Sequence, residues 1–228
     1  MTILKKLPIE KIQKENRKTV SIRITDNATI IVKAPRYATK KDIETVLLQH
    51  LGWIEKGLTR AREKQKWTQS HQFRPGEKFL YLGKLYPLEI TQAQKPALIF
   101  ENEKFYLNQK YQAQARDVFI NWYKRQALEN FHTRARIYAP LLAVEYRRIK
   151  LSSARTRWGS CSSQGNINIV WRLIMAPQWV IDYVIVHEIT HLRYMNHSRA
   201  FWNTVAQIYP QYQQAKQWLK QYGHFLNI

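Results

Sequence analysis

A single cysteine, Cys161, in 228 residues rules out an intrachain disulfide. Stability must then come from packing, and a reducing, cytoplasmic setting is expected. No apolar run approaches the roughly 20 residues of a membrane-spanning helix. The start, Met1-Thr2-Ile3-Leu4-Lys5-Lys6, has no long apolar segment after its charges, so neither a membrane partner nor a secretory signal is expected. Internal repeats and low-complexity linkers are also lacking. Acidic residues are scarce: 16 Asp+Glu stand against 37 Lys+Arg, a net charge of +21. From Ile189 to the end there is no Asp or Glu at all.

The excess of positive charge is spread along the chain. Residues 1–145 hold 27 Lys+Arg against 14 Asp+Glu, and residues 146–228 hold 10 against 2. Such a field attracts polyanions, so association with nucleic acid through a basic surface is one expectation. A solvated face that aids solubility is the other. No separate DNA-binding motif and no compact basic run stands out; Arg147, Arg148, Lys150, Arg155 and Arg157 come nearest. Hydrophobic residues at 45% and aromatics at 13% mark a globular chain able to bury a core.

The strongest chemical signal is His187-Glu188-Ile189-Thr190-His191, followed by His197. On a helix, residues four apart share a face, so His187 and His191 can present imidazoles to one metal ion. Glu188 lies beside them, within reach of a water on that metal. This is the H-E-x-x-H arrangement of zinc hydrolases, with two ligands and a general base on one helix. Catalytic zinc usually takes three protein ligands. A Glu on a later helix is excluded here, because no acid follows Glu188; His197 and His224 are the remaining downstream candidates. His197 stands six residues after His191, the spacing of extended H-E-x-x-H-x-x-G-x-x-H sites, with Tyr194 where those have Gly. The turn is expected to use Met195-Asn196, since Asn tolerates the left-handed conformation. Ser198 would cap the next helix. His224 reads as an ordinary polar residue of a C-terminal tail.

A second constellation is Arg155-Thr156-Arg157-Trp158-Gly159-Ser160-Cys161-Ser162-Ser163. A glycine inside a strand pattern marks a bulge or the close approach of another group. Residues 156–162 are expected to form or adjoin a sheet edge on which an extended substrate pairs. Arg157 would face substrate or a developing negative charge, with Trp158 and Ser160 as further substrate-binding candidates. The structural alternative makes Trp158 core, Gly159 a bulge and Ser160 a turn former. Cys161 has neither a CxxC partner nor a paired His, and reads as a small buried residue.

Alternation predicts strands at 18–25 and 29–34, broken at Asp26-Asn27, then a helix from a Thr39 cap to about Lys66. A second hairpin is expected over 78–91 around Gly83-Lys84, followed by strands at 97–100 and 104–107. A long helix covers about 112–138, with Pro140 just past its end. Strands follow at 147–154, 156–163 and 166–173, the last two turned at Gln164-Gly165. The helix with Pro177 in its first turn is apolar nearly all round and should be buried; helices at about 199–209 and 211–222 complete the chain. The reading is α+β, with a β-rich region over 1–110 preceding a catalytic core over 111–228.

These residues resemble a known family. Arg157-Trp158-Gly159-Ser160-Cys161-Ser162, Trp171-Arg172-Leu173, Ala176-Pro177, Ile181-Asp182-Tyr183-Val184, His187-Glu188, His191-Leu192, Met195-Asn196-His197-Ser198 and Phe201-Trp202 are similar to the YgjP-like metallopeptidases. The resemblance is dense over 147–228 and looser before. More distantly the chain is similar to SprT-like and WLM proteases. The resemblance implies a zincin-like core of small sheet plus active-site helix. It also implies one zinc per chain on His187, His191 and His197, and Glu188 as general base. The substrate is expected to be a polypeptide. Two rival readings are a nucleotide pyrophosphatase using the same metal site, and a non-catalytic nucleic-acid-associated zinc protein.

Overall fold

The computed structural model describes residues 3–25, 27–67, 71–92 and 96–228. Asp26 of the expected Asp26-Asn27 break, and Met1 and Thr2 of the N-terminal segment, lie outside the described residues. By backbone contacts the chain forms two compact units, Met1–Gln69 and Ser70–Ile228.

The first unit contains α1 (Ile3–Lys6), β1 (Ile9–Glu15), β2 (Ser21–Ile24), β3 (Ile30–Pro35), α2 (Lys40–Gln49) and α3 (Leu51–Trp67). The expected hairpin is β2 and β3, antiparallel with Ile22 opposite Val32. β1 was not anticipated, and it runs parallel to β3 on the other side. Its burial follows no clean alternation, so period-2 reasoning passes over it. The single expected helix is two helices that meet at His50. Thr39 caps the first in a capping box with Asp42, accepting from Asp42 N at 3.2 Å while Asp42 Oδ2 accepts from Thr39 N at 2.7 Å. Ile30, Val32, Ile43, Leu47, Ile54 and Leu58 form this unit's own core.

The second unit begins with β4 (Lys78–Tyr81), β5 (Lys84–Thr91), β6 (Leu98–Glu101) and β7 (Lys104–Asn108), in sheet order β4-β5-β7-β6. The long helix α4 (Ala115–Leu141) follows. β8 (Arg148–Ser152), β9 (Gly159–Cys161) and β10 (Asn166–Val170) then form a small sheet ordered β8-β10-β9. α5 (Gln178–Thr190), α6 (Arg199–Ile208) and α7 (Tyr212–Tyr222) complete it. Phe79, Leu88, Phe105 and Leu107 share one continuous core with Phe119, Trp122, Tyr123 and Phe131 of α4. That shared core is why the contact boundary falls at 69/70 rather than at the 110/111 division read from the sequence.

Several local expectations shift by a residue or two. The β4–β5 turn is Leu82-Gly83, both at positive φ (47° and 83°), rather than Gly83-Lys84. Its backbone donates to Ile174 and Met175 carbonyls at 3.0 Å each, tying that sheet to the 3-10 turn before α5. Pro140 lies inside the last turn of α4 instead of beyond it. Pro177 is the N-cap of α5. β9 spans three residues only, and 171–173, read as the end of its partner strand, belong to the 3-10 turn Trp171–Met175.

α5 is buried on nearly every side, as its composition demands. Its one buried acid near the start, Asp182, is 5% exposed. Arg134 of α4 grips it bidentately, with Nε to Oδ1 and Nη2 to Oδ2 both 2.6 Å. Tyr138 Oη and Gln178 Nε2 also donate to the carboxylate, at 3.2 and 3.0 Å. This fork fixes the rotation of α5 against α4. Asp182→Ala should leave Arg134 without its partner and cost about 3 kcal/mol. The check is a thermal midpoint lower by about 10 °C; an unchanged midpoint would reduce the fork to a bystander. Among the described residues no helix is long and apolar enough to cross a membrane.

Candidate metal centre

The last turn of α5 carries His187 and Glu188, and His191 is its C-cap. His187 and His191 stack edge-on, ring centroids 5.0 Å apart at 86°. His197 comes from the corner between α5 and α6, with centroids 5.0 Å from His187 and 4.7 Å from His191. The His187 and His197 Nε2 atoms are 3.1 Å apart. One ring nitrogen from each of the three histidines lies within 4.8 Å of the others. Two imidazoles on one tetrahedral zinc at about 2.05 Å would hold their nitrogens roughly 3.3 Å apart. The set therefore fits such an ion with small side-chain adjustment.

The corner is made differently from the expected left-handed residue. No residue between Thr190 and Ser198 has positive φ. Leu192 N donates to Ile189 O at 3.0 Å, and Arg193 N and Tyr194 N both donate to Thr190 O at 3.1 and 3.0 Å. Asn196 contributes through its side chain, Oδ1 accepting from Ser198 N at 3.3 Å. Ser198 then caps α6 as expected, accepting from Phe201 N at 3.3 Å. Phe201 of that helix touches all three imidazoles, with centroid distances of 4.6–5.0 Å.

The protonation state suits a metal. His191 Nδ1 faces the Tyr194 carbonyl oxygen at 3.0 Å, which requires the proton on Nδ1 and leaves the Nε2 lone pair free. Burial, with His191, His197 and Lys216 nearby, pushes His187 down to about 3. Burial also lowers His191. Both are neutral donors at pH 7. Glu188 is 5% exposed. Burial lifts its carboxyl to about 8, against the pull of Arg157, and Oε2 has no hydrogen-bond partner among the described residues.

The imidazoles and Glu188 open onto a cavity of about 600 Å³ bordered by β9, α5 and α7. Arg157, Trp158 and Ser160 all line it. Arg157 is exposed, with no ion pair among the described residues. Trp158 is half-buried and braces the C-terminal turn, where a Cβ on Gly223 would lie 2.7 Å from its ring. Ser160 Oγ accepts from Asn168 Nδ2 at 3.4 Å across the sheet. Cys161 also lines the cavity, and burial pushes its thiol up to about 11, far from a nucleophile. Gly159 marks a close approach: a Cβ there would lie 2.6 Å from Glu188 Cδ and Cγ. His224 belongs to a 3-10 turn, Gly223–Phe225, rather than a loose tail, and is not in the histidine cluster.

Two charged lining residues are not signalled as such by the sequence, Lys216 and Lys220 of α7. Lys216 Nζ sits 4.7 Å from the centre of the Trp202 ring. The only hint in the sequence is their spacing of four, which puts them on one helix face. Nothing local says that this face turns toward the histidines.

A small mixed sheet, a buried helix ending in His-Glu-x-x-His and a third histidine at the next corner define a zincin-like metallopeptidase domain. The chain matches the family model described as YgjP-like, metallopeptidase domain, over residues 18–222, and it belongs to that family. No curated protein matches it. Membership supports a zinc-dependent hydrolase of the metallopeptidase type, and the three-histidine group is compatible with it.

Proposed function

We propose that the protein is a zinc metallopeptidase whose ligands are His187, His191 and His197 and whose general base is Glu188. The observation that carries this is the buried Glu188 carboxyl, one oxygen unpartnered, beside three convergent imidazoles. A structural metal site has no use for such a group. When bound, zinc would supply a water of lowered pKa and a Lewis acid for the scissile carbonyl. Glu188 takes a proton from the attacking water and returns it to the leaving amine.

β9 ends its sheet among the described residues. An extended polypeptide pairing with that edge would run past the histidines. Arg157 would then face the oxygen that gains negative charge. Arg157→Ala is expected to lower kcat at unchanged zinc content, by about tenfold to a hundredfold. Unaltered turnover would remove Arg157 from this role.

Gly159 serves the same base. Gly159→Ala would force Glu188 aside, and misplacing a reacting group by about 1 Å costs on the order of a hundredfold in rate. The measurement pairs kcat with metal content: slow turnover on a fully loaded site is expected, and wild-type kcat would show that Glu188 has room to spare.

A second reading is favoured by one observation. Three of the four Lys, Arg, Asp and Glu side chains on the cavity wall are cations: Arg157, Lys216 and Lys220. Such a wall would also accept a nucleoside triphosphate, with a phosphoanhydride in place of the peptide bond. Unstructured polypeptides and nucleoside triphosphates assayed side by side on the zinc-loaded protein separate the two. Hydrolysis of polypeptide alone supports the peptidase; hydrolysis of triphosphate alone replaces it.

A further inference from the structure

The first unit has a cavity of its own, of about 520 Å³, lined by Ile22 to Thr25 of the β2 segment and by Trp53, Lys56, Gly57, Arg60 and Ala61 of α3. Its chemistry differs from that of the unit's core. Trp53 is 56% exposed, an unusual state for the largest apolar side chain. Every charged residue on the wall is a cation, Arg23, Lys56 or Arg60, and all three are exposed. None of them forms an ion pair among the described residues. Residues 1–69 carry 16 Lys+Arg against 7 Asp+Glu, so the local field is positive as well.

The sequence and packing explain how these groups come together. Trp53, Lys56 and Arg60 are spaced i, i+3 and i+7, which sets them along one face of α3. α3 lies close to β2 at Gly57, where a Cβ would collide with Ile24 Cδ1. Close contact there puts the indole and the cations beside the β2 segment. β2 pairs only with β3, so it ends its sheet among the described residues.

We infer that this groove binds single-stranded nucleic acid, with a base stacked on Trp53 and backbone phosphates held by Arg23, Lys56 and Arg60. An exposed aromatic platform among unpaired cations is what such strands require, because every base has a π-face and every linkage a negative charge. Duplex fits poorly, since its bases are not free to stack. An acidic polypeptide would satisfy the cations but leave the indole without a role.

The test uses the full chain and fluorescently labelled 12-mers of oligo-dT and oligo-U, with binding followed by anisotropy across a salt series. Binding of either strand, tighter than that of duplex or polyglutamate, is expected. Trp53→Ala, which changes no charge, should weaken it about tenfold, and Trp53→Phe should restore most of the loss. Replacing Arg23, Lys56 and Arg60 together by Ala should weaken binding and make the salt slope shallower by roughly 2. Replacing Arg36, Lys40 and Lys41 by Ala removes the same charge away from the groove and should do much less. Wild-type affinity in Trp53→Ala would overturn the inference. So would equal binding of duplex or polyglutamate, or equal loss in the two triple variants. None of these readouts involves hydrolysis, so the result stands apart from the fate of the metallopeptidase proposal.

Discussion

Glu188→Gln is expected to keep the zinc and lose turnover, by about a hundredfold to ten-thousandfold. Gln preserves the shape of the side chain but cannot accept the proton of the attacking water. Metal content measured beside kcat separates this from a damaged site. Wild-type activity in the Gln variant would dismiss Glu188 as the base.

The same substitution has a signature without metal or substrate. The Glu188 carboxyl rises from 4.5 to about 8 on folding. Between those values the folded chain holds a proton that the unfolded chain has released, so stability falls as pH rises. His187 works the other way, dropping from 6.5 to about 3. Between those values the unfolded chain holds the extra proton, and stability rises with pH. His191, also lowered, acts in the same sense. At about pH 4.5–6.5 His187 offsets Glu188 and His191 adds a rise, and of these three groups only Glu188 still titrates between 6.5 and 8. Metal-free wild type should therefore lose about 2 kcal/mol over that last interval. Glu188→Gln should be nearly flat there. Parallel loss in both proteins would place the proton elsewhere.

His197→Ala is expected to empty the site. Even a group one shell out from a metal is worth 10- to 100-fold in affinity, so loss of a ligand should raise the zinc Kd by at least about a hundredfold. His197 is exposed at a corner, so the variant should fold, and an unaltered thermal midpoint of the metal-free protein checks this. Wild type purified without an affinity-metal step should hold about one zinc per chain. Full retention of zinc by His197→Ala would send the search for a third ligand elsewhere.

The arrangement of Glu188 and the imidazoles depends on distant parts of the chain. The Arg134–Asp182 fork sets the rotation of α5, and the Leu82-Gly83 turn, bonded to Ile174 and Met175, supports the segment leading into it. Phe201 presses on the three rings from α6, and Gly159 leaves room for the Glu188 carboxyl from β9.

Much of this was legible along the chain because its causes are local. A spacing of four on a helix brings His187 and His191 together, a short corner returns His197 to them, and the apolar surround of Val180, Ile181, Val184, Ile185 and Ile189 announces a buried helix. Hairpin alternation and the Thr39 and Ser198 caps are local as well. Parallel pairing is not: β1 reaches β3 across an intervening strand, so no turn sequence signals it. The break at His50 follows no proline or glycine at that position. Lys216 and Lys220 reach the cavity only because α7 folds back against α5. The raised value of Glu188 is likewise a property of burial, and burial is the sum of neighbours from several elements. The sequence by itself determined which groups could hold a metal, since ligand spacing is written into a single turn and corner. Tertiary structure alone decided the burial of Glu188 and the cation-walled space around the imidazoles, because desolvation and long-range contacts exist only once the chain has packed.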